Sequence, residues 1–409
     1  MEAMKIKSSF LFNGAIACSV LAILLPAHPG LQQFFKTHNI PSSMVSFLFA
    51  AGILYVWILR HRFDDRILMP VTAYFLFALI ILIRSVASPA LGLENFLKSL
   101  RGIFILSPLA ILSALACRYN AKTASGTIFC MGFTALLLYV YIMLSGDLLE
   151  IVGFRSITSD TGEDNYQSTA FYIGLAAIGF LAMMDYPNRL VKVASFLGFI
   201  GVVVLMATVG ARAAVGAVGL CFVLYYLSNL FGSFRKSIWL SLCIVMVILS
   251  SVALYLNNEN IVETLSVIER FEVVMEDADG SNRAMLFTSA IKLWLESPLT
   301  FLFGAGLGAF PAYIGEHSPG WYPHNFLLET LSEGGIVAVL PMLALVFLTA
   351  KKFLSDARVY NVPVERRYLG YCAVYAVLVY SFIGGLSVLW IPFFFVFSYL
   401  SCENGNSYD

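Results

Sequence analysis

The chain has 409 residues, of which 59% are hydrophobic and 12% charged, with 25 basic side chains balancing 25 acidic ones. A soluble globular domain carries about 25% charged residues, so this composition excludes one and requires lipid to cover most of the surface. The zero net charge says nothing about partners until the charges are assigned to sides, and no nucleic-acid partner is expected.

Met1 to Lys7 followed by an apolar run reads as the first membrane span rather than a secretory leader, because no small-residue cleavage site precedes a soluble domain. Apolar stretches near bilayer length, bounded by charges or by Pro, Gly and Asn clusters, predict about twelve spans. They fall at 8–27, 43–59, 67–83, 102–117, 124–144, 168–184, 193–210, 214–231, 238–256, 336–350, 370–384 and 387–402. Only Gly384 and Gly385 separate the last two. The expected organisation is an N-terminal bundle over 1–256, a large outer loop over 257–335 and C-terminal spans over 336–409.

Lys and Arg set the orientation. Alternate connections hold 16 of the 25 basic residues against 8 of the 25 acids, from Lys5 and Lys7 through Arg189 and Lys192 to Lys351, Lys352, Arg366 and Arg367. That set is expected in the cytoplasm with both termini, and the acidic loops are expected outside. The seven cysteines fall in or beside spans with no CxxC, so they read as small apolar filler and indicate neither a disulfide framework nor a thiolate metal site.

Two outer segments exceed a turn, 145–167 and 257–335. The second opens with apolar pairs and acids at helical spacing up to Asn282. After Arg283 a second amphipathic helix is expected, with Leu286, Ala290, Leu293 and Trp294 on one face and Pro298 as its stop. Such helices would lie along the outer leaflet boundary and cap the spans.

Segment 304–335, GAGLGAFPAYIGEHSPGWYPHNFLLETLSEGG, holds most of the residues that suggest chemistry. Gly304, Gly306 and Gly308 lack the preceding strand of a dinucleotide loop, so they are expected to let the backbone approach a lipid-linked phosphate or another helix. Pro323 is expected in the first turn of a short helix over FLLETLSEGG, which puts His324 at or near its N-terminus. A neutral imidazole there can accept a proton from a hydroxyl, although a lone His more often caps or packs.

Arg212, in ATVGARAAVGAVG, lies where two spans leave almost no connection. A cation at such depth is a functional candidate unless it snorkels or pairs with an acid. Arg283 follows the run DADGSN, and a guanidinium there suits a diphosphate, the alternative being a solvated helix charge. Arg155 and Arg270 also face outward, with acids flanking Arg270. Asp160, Glu163 and Asp164 have no fixed ligand spacing and read as solvated loop acids, so no metal and no cofactor is expected.

Ser297, Pro298, Gly304, Gly306, Gly308, Phe310, Pro323, His324, Asn325, Leu328, Glu329, Glu333 and Gly335 occur in the order in which the O-antigen polymerase and ligase family carries them, and the chain resembles that family. The likeness extends to an arginine at the outer end of a middle span, where the family commonly shows Ser-Arg-Gly and this chain has Ala211, Arg212 and Ala213. Arg283 matches the family's arginine before the amphipathic helix.

The resemblance implies an all-α polytopic fold of the GT-C-like membrane glycosyltransferase type, in the bacterial inner membrane with a periplasmic active site. It implies metal-independent, inverting transfer from an undecaprenyl diphosphate-linked glycan. Arg212 and Arg283 would hold the diphosphate, and His324 would orient or deprotonate the acceptor. Gly304, Gly306, Gly308, Pro323, Asn325 and Glu329 would support the loop. Polymerase is favoured over ligase, and a chain-length regulator and a flippase are implied partners besides the lipid bilayer. A transporter of lipid-linked sugars is the alternative from another class, but basic residues inside the spans are nearly absent.

Overall fold

The computed structural model describes residues 2–25, 28, 65–87, 93–144, 165–209, 211–230, 282–315, 322–357, 359 and 362–402. The spans expected at 43–59 and 238–256, the first amphipathic stretch, Arg155, Arg270 and the acids Asp160, Glu163 and Asp164 lie outside them.

The described residues are helical, without strands. In chain order the elements are α1 (Glu2–Leu24), α2 (Asp65–Ala87), α3 (Leu93–Arg101), a π turn (Gly102–Leu106), α4 (Ser107–Cys117), α5 (Ala121–Leu144), α6 (Asn165–Met183), α7 (Arg189–Val209) and α8 (Arg212–Leu230). They continue with α9 (Asn282–Trp294), α10 (Pro298–Phe303), α11 (Ala309–Tyr313), α12 (Phe326–Ala357), α13 (Val364–Ile383), a 3-10 turn (Leu386–Val388) and α14 (Trp390–Ser401).

Among the described residues, five helical stretches are long and apolar enough to cross a bilayer: Ile67–Val86, Ser99–Cys117, Ala121–Tyr141, Arg189–Val209 and Phe326–Ala357. The chain is a multi-pass membrane protein. Helix α2 shows how the sequence divides its faces. Tyr74, Phe77, Ala78 and Ile81 are buried, whereas Leu68, Leu76, Leu79, Ile83 and Val86 stand exposed, as lipid-facing side chains do. Its partner is α12.

Helix α6 lies innermost and packs on α5, α7, α8 and α13. Ala170 to Ile178 are almost all inaccessible there. Buried tyrosine hydroxyls bind carbonyls of neighbouring helices: Tyr172 donates to Leu24 at 2.5 Å, Tyr368 to Leu175 at 3.1 Å and Tyr375 to Phe171 at 3.2 Å. Each aromatic ring thus fills the core while its polar tip is satisfied.

The charges assigned to the basic connections gather at one end of the helices. Asp185 accepts from Tyr225 at 3.0 Å and pairs with Arg367, and Asp356 takes a forked contact from Arg366 and a 2.7 Å hydrogen bond from Tyr399. The Lys352 ammonium donates to the carbonyls of Tyr399, Leu400 and Cys402, at 2.7, 3.0 and 2.7 Å, and so caps α14.

One detail departs from expectation. Pro298 does not stop the amphipathic helix. That helix ends at Trp294, and Pro298 begins α10 behind the N-cap Ser297, whose hydroxyl accepts from Thr300 N at 3.1 Å. The short helix over FLLETLSEGG is present as expected: within the 32-residue α12 it meets the next span across a kink at Gly335, whose φ of 69° and ψ of −176° are not helical. The break at Gly384 and Gly385 is present, between α13 and α14.

Candidate functional site

The three glycines of 304–308 all have positive φ, at 72°, 101° and 76°. Of the two roles expected for them, the structure shows approach to another helix. Ala305 N donates to Ser332 O at 2.8 Å and Gly306 N to Glu333 O at 2.9 Å, so the loop satisfies the carbonyls freed by the bend in α12. A Cβ on Gly304 would lie 2.2 Å from the Glu333 carbonyl carbon, and one on Gly335 would lie 2.4 Å from Gly304 N. Two backbones cross where side chains would hold them apart.

Residues from elsewhere fasten this crossing. Glu333 is 2% exposed, and its Oε1 accepts from Phe310 N at 3.3 Å. Its other oxygen has no hydrogen-bond partner among the described residues. Arg84, in the last turn of α2, donates from Nε to Gly304 O at 2.7 Å. Leu307 N donates to the hydroxyl of Ser85 at 3.2 Å.

His324 has φ 51°, and among the described residues it is the sole non-glycine with positive φ. That conformation costs about 1–2 kcal/mol and persists where the surroundings impose it. Asn325 is the N-cap of α12: its Oδ1 accepts from Leu327 N at 3.0 Å and Leu328 N at 3.1 Å. Pro323 is therefore not in the first helical turn as expected but lies ahead of the cap. His324 is placed beside a helix N-terminus, as the spacing implied. The Tyr322 ring lies against the imidazole with centroids 4.2 Å apart, and its hydroxyl donates to Ile383 O at 3.2 Å.

Glu329, one turn into α12, is 6% exposed and accepts from Leu386 N at 3.0 Å through Oε2. A Cβ on Gly385 would sit 2.5 Å from that oxygen and 3.0 Å from the Tyr322 ring. The break between α13 and α14 is thus the place where the His-bearing segment docks.

Arg212 opens α8, one residue after Ala211, and Arg283 is the second residue of α9; their side chains lie outside the described residues. Their helices fix where the backbones start. Leu286, Ala290 and Leu293 of α9 pack with Phe310 and Leu328, which brings this face of α9 to the segment after His324. Cys221 of α8 meets Tyr371 of α13, with Sγ 3.9 Å from the carbonyl oxygen. Arg212 lies nine residues before that contact in a helix of opposite direction, about 13 Å along the axis, towards the α13 end that receives Tyr322.

Arg84 and Tyr322 have no place in the sequence reading, and the buried Glu333 enters it only as a member of the family's ordered motif. The signal for Glu333 was its helical spacing of four from Glu329, which sets both carboxylates on one face of α12. Arg84 and Tyr322 are joined to the site by contacts distant in sequence.

Residues 194–343 match the family model described as O-Antigen ligase. No curated protein and no solved structure matches the chain. The matched stretch runs from α7 into α12 and takes in Arg212, Arg283, the glycine loop and His324. Over residues 194–343 the chain is thus similar to the O-antigen ligase family, a likeness that supports an enzyme of glycosyltransferase type.

Proposed function

We propose that the protein is an O-antigen polymerase of the bacterial inner membrane, with both termini in the cytoplasm and its site at the periplasmic face. It transfers a growing glycan from undecaprenyl diphosphate to the non-reducing end of a lipid-linked repeat unit. The observation that carries this reading is the seating of His324: a left-handed backbone, a capped helix directly behind it and a tyrosine ring against the imidazole.

In the reaction the acceptor hydroxyl oxygen attacks the anomeric carbon. The bond from that carbon to the diphosphate oxygen breaks, and the lipid diphosphate leaves with the electron pair. His324 takes the hydroxyl proton. Arg212 and Arg283 hold the diphosphate and stabilise its growing charge, the part a metal ion plays elsewhere. Attack opposite the leaving group inverts the anomeric centre. Gly304, Gly306, Gly308, Pro323, Asn325 and Glu329 keep the histidine segment in place.

Ligase is the second reading, favoured by the description of the matching family model itself. There the same donor chemistry delivers the glycan to lipid A core. Purified protein given lipid-linked repeat units alone is expected to produce a ladder of longer chains, undiminished by EDTA. Unchanged repeat units would overturn the polymerase reading, and loss of the ladder on chelation would overturn metal independence. In the same assay Arg212→Lys is expected to lower transfer roughly tenfold, because an ammonium lacks the planar fork that grips a phosphate in two bonds. Wild-type rates would argue against that geometry.

A further inference from the structure

Arg84 occupies the last turn of α2, where a cation opposes the negative end of the helix dipole. Its neighbours Ile83 and Val86 are 62% and 78% exposed, so this turn borders the lipid-facing surface. The guanidinium itself is half-buried and reaches away to Gly304 O. Among the described residues that is its one hydrogen bond, and no carboxylate pairs with it. A guanidinium has five N–H donors, so one carbonyl leaves the whole Nη edge unused.

A cation at the membrane boundary without an anion is unfavourable, and interaction with the dipole of one helix end offsets only part of this cost. The unused edge has the geometry that takes a phosphate in two parallel bonds. What it points from is also telling. Gly304 belongs to the loop that is hydrogen-bonded to Ser332 and Glu333, and Ser85 from the same turn of α2 receives Leu307 N. An anion held by Arg84 would be joined through this loop to the helix that His324 precedes.

We propose that Arg84 is a further donor-binding residue: its Nη edge holds a phosphate of the lipid-linked diphosphate at the membrane boundary, and its bond to Gly304 fixes the direction of the guanidinium. This rests on the transferase reading above. A phospholipid head group offers the same phosphate chemistry, and the test separates the two sources.

The full chain in phosphatidylcholine nanodiscs is titrated with labelled undecaprenyl diphosphate bearing no sugar, and donor dependence is measured in the ladder assay. Arg84→Gln keeps a donor for Gly304 O and removes the charge. It is expected to raise both the Kd and the donor KM roughly tenfold, with kcat within about threefold at saturating donor. Arg84→Lys keeps the charge without the fork and is expected to fall between the two, which also serves if the Gln variant does not fold. Wild-type Kd and KM in these variants would overturn the proposal and leave Arg84 as a loop fastener. A difference that appears only in phosphatidylglycerol nanodiscs would overturn it too, in favour of a bulk lipid contact. Arg84-dependent binding in a protein that makes no ladder would support the diphosphate site while the polymerase reading fell.

Discussion

His324→Ala is expected to lower transfer by roughly 10²–10⁴-fold while the protein still inserts and unfolds at its normal temperature. The imidazole is the one described side chain of the proposed catalytic trio, and it precedes the segment on which the α9 face packs, at the bundle end towards which α8 begins. Because the backbone there is left-handed, alanine alone does not separate loss of the base from loss of the turn. His324→Asn does, since asparagine tolerates that conformation without offering imidazole basicity. Equal inactivity of both variants is the expected result. Near-normal transfer by the asparagine variant would assign His324 to the turn and not to proton transfer.

The second large effect is expected at Gly304. Its φ of 72° and ψ of −176° form a pair open essentially to glycine, and forcing another residue there costs about 1–3 kcal/mol. The overlap of the new Cβ with the Glu333 backbone adds to this. Relief requires the loop to leave Ser332 and Glu333, which breaks the bonds from Ala305 and Gly306 and draws Arg84 and Phe310 from their partners. Gly304→Ala is expected to lower the unfolding temperature by several degrees and to remove most transfer. Gly315→Ala is the control, a glycine also at positive φ but with open space around it, where a smaller stability loss is expected. Equal behaviour of the two variants would show that backbone crossing is not what Gly304 provides.

Local patterns in the sequence carried much of this architecture. Apolar runs located the helices from α4 to α8 closely, although α5, α6 and α7 each begin a few residues earlier than expected and the first residues of the span expected at 102–117 form the π turn. The face of Leu286, Ala290 and Leu293 is buried as its spacing required. Trp294 is only half-buried, because its indole instead stacks on Phe301 and donates to that residue's carbonyl at 2.9 Å. The order of Pro323, His324 and Asn325 was legible, yet which residue served as the cap was not. Proline suits an N1 position and asparagine an N-cap, and the two preferences compete within three residues.

Contacts between distant segments were the illegible part. A single arginine at the end of an apolar span is what snorkelling also produces, so nothing local distinguishes Arg84. Glycines at 304, 306 and 308 suit either a phosphate or a backbone, and only the position of Ser332 and Glu333 decides between these. Gly385 looks like a mere separator in the sequence, whereas its missing side chain leaves room for Glu329 and Tyr322.

The ammonium that closes α14 has a practical corollary. Lys352 occupies the last carbonyls of that helix, so its end is fastened from within the bundle. A fluorescent or phosphatase reporter fused beyond that point would leave the bundle intact, and its signal would report the sidedness of the native protein.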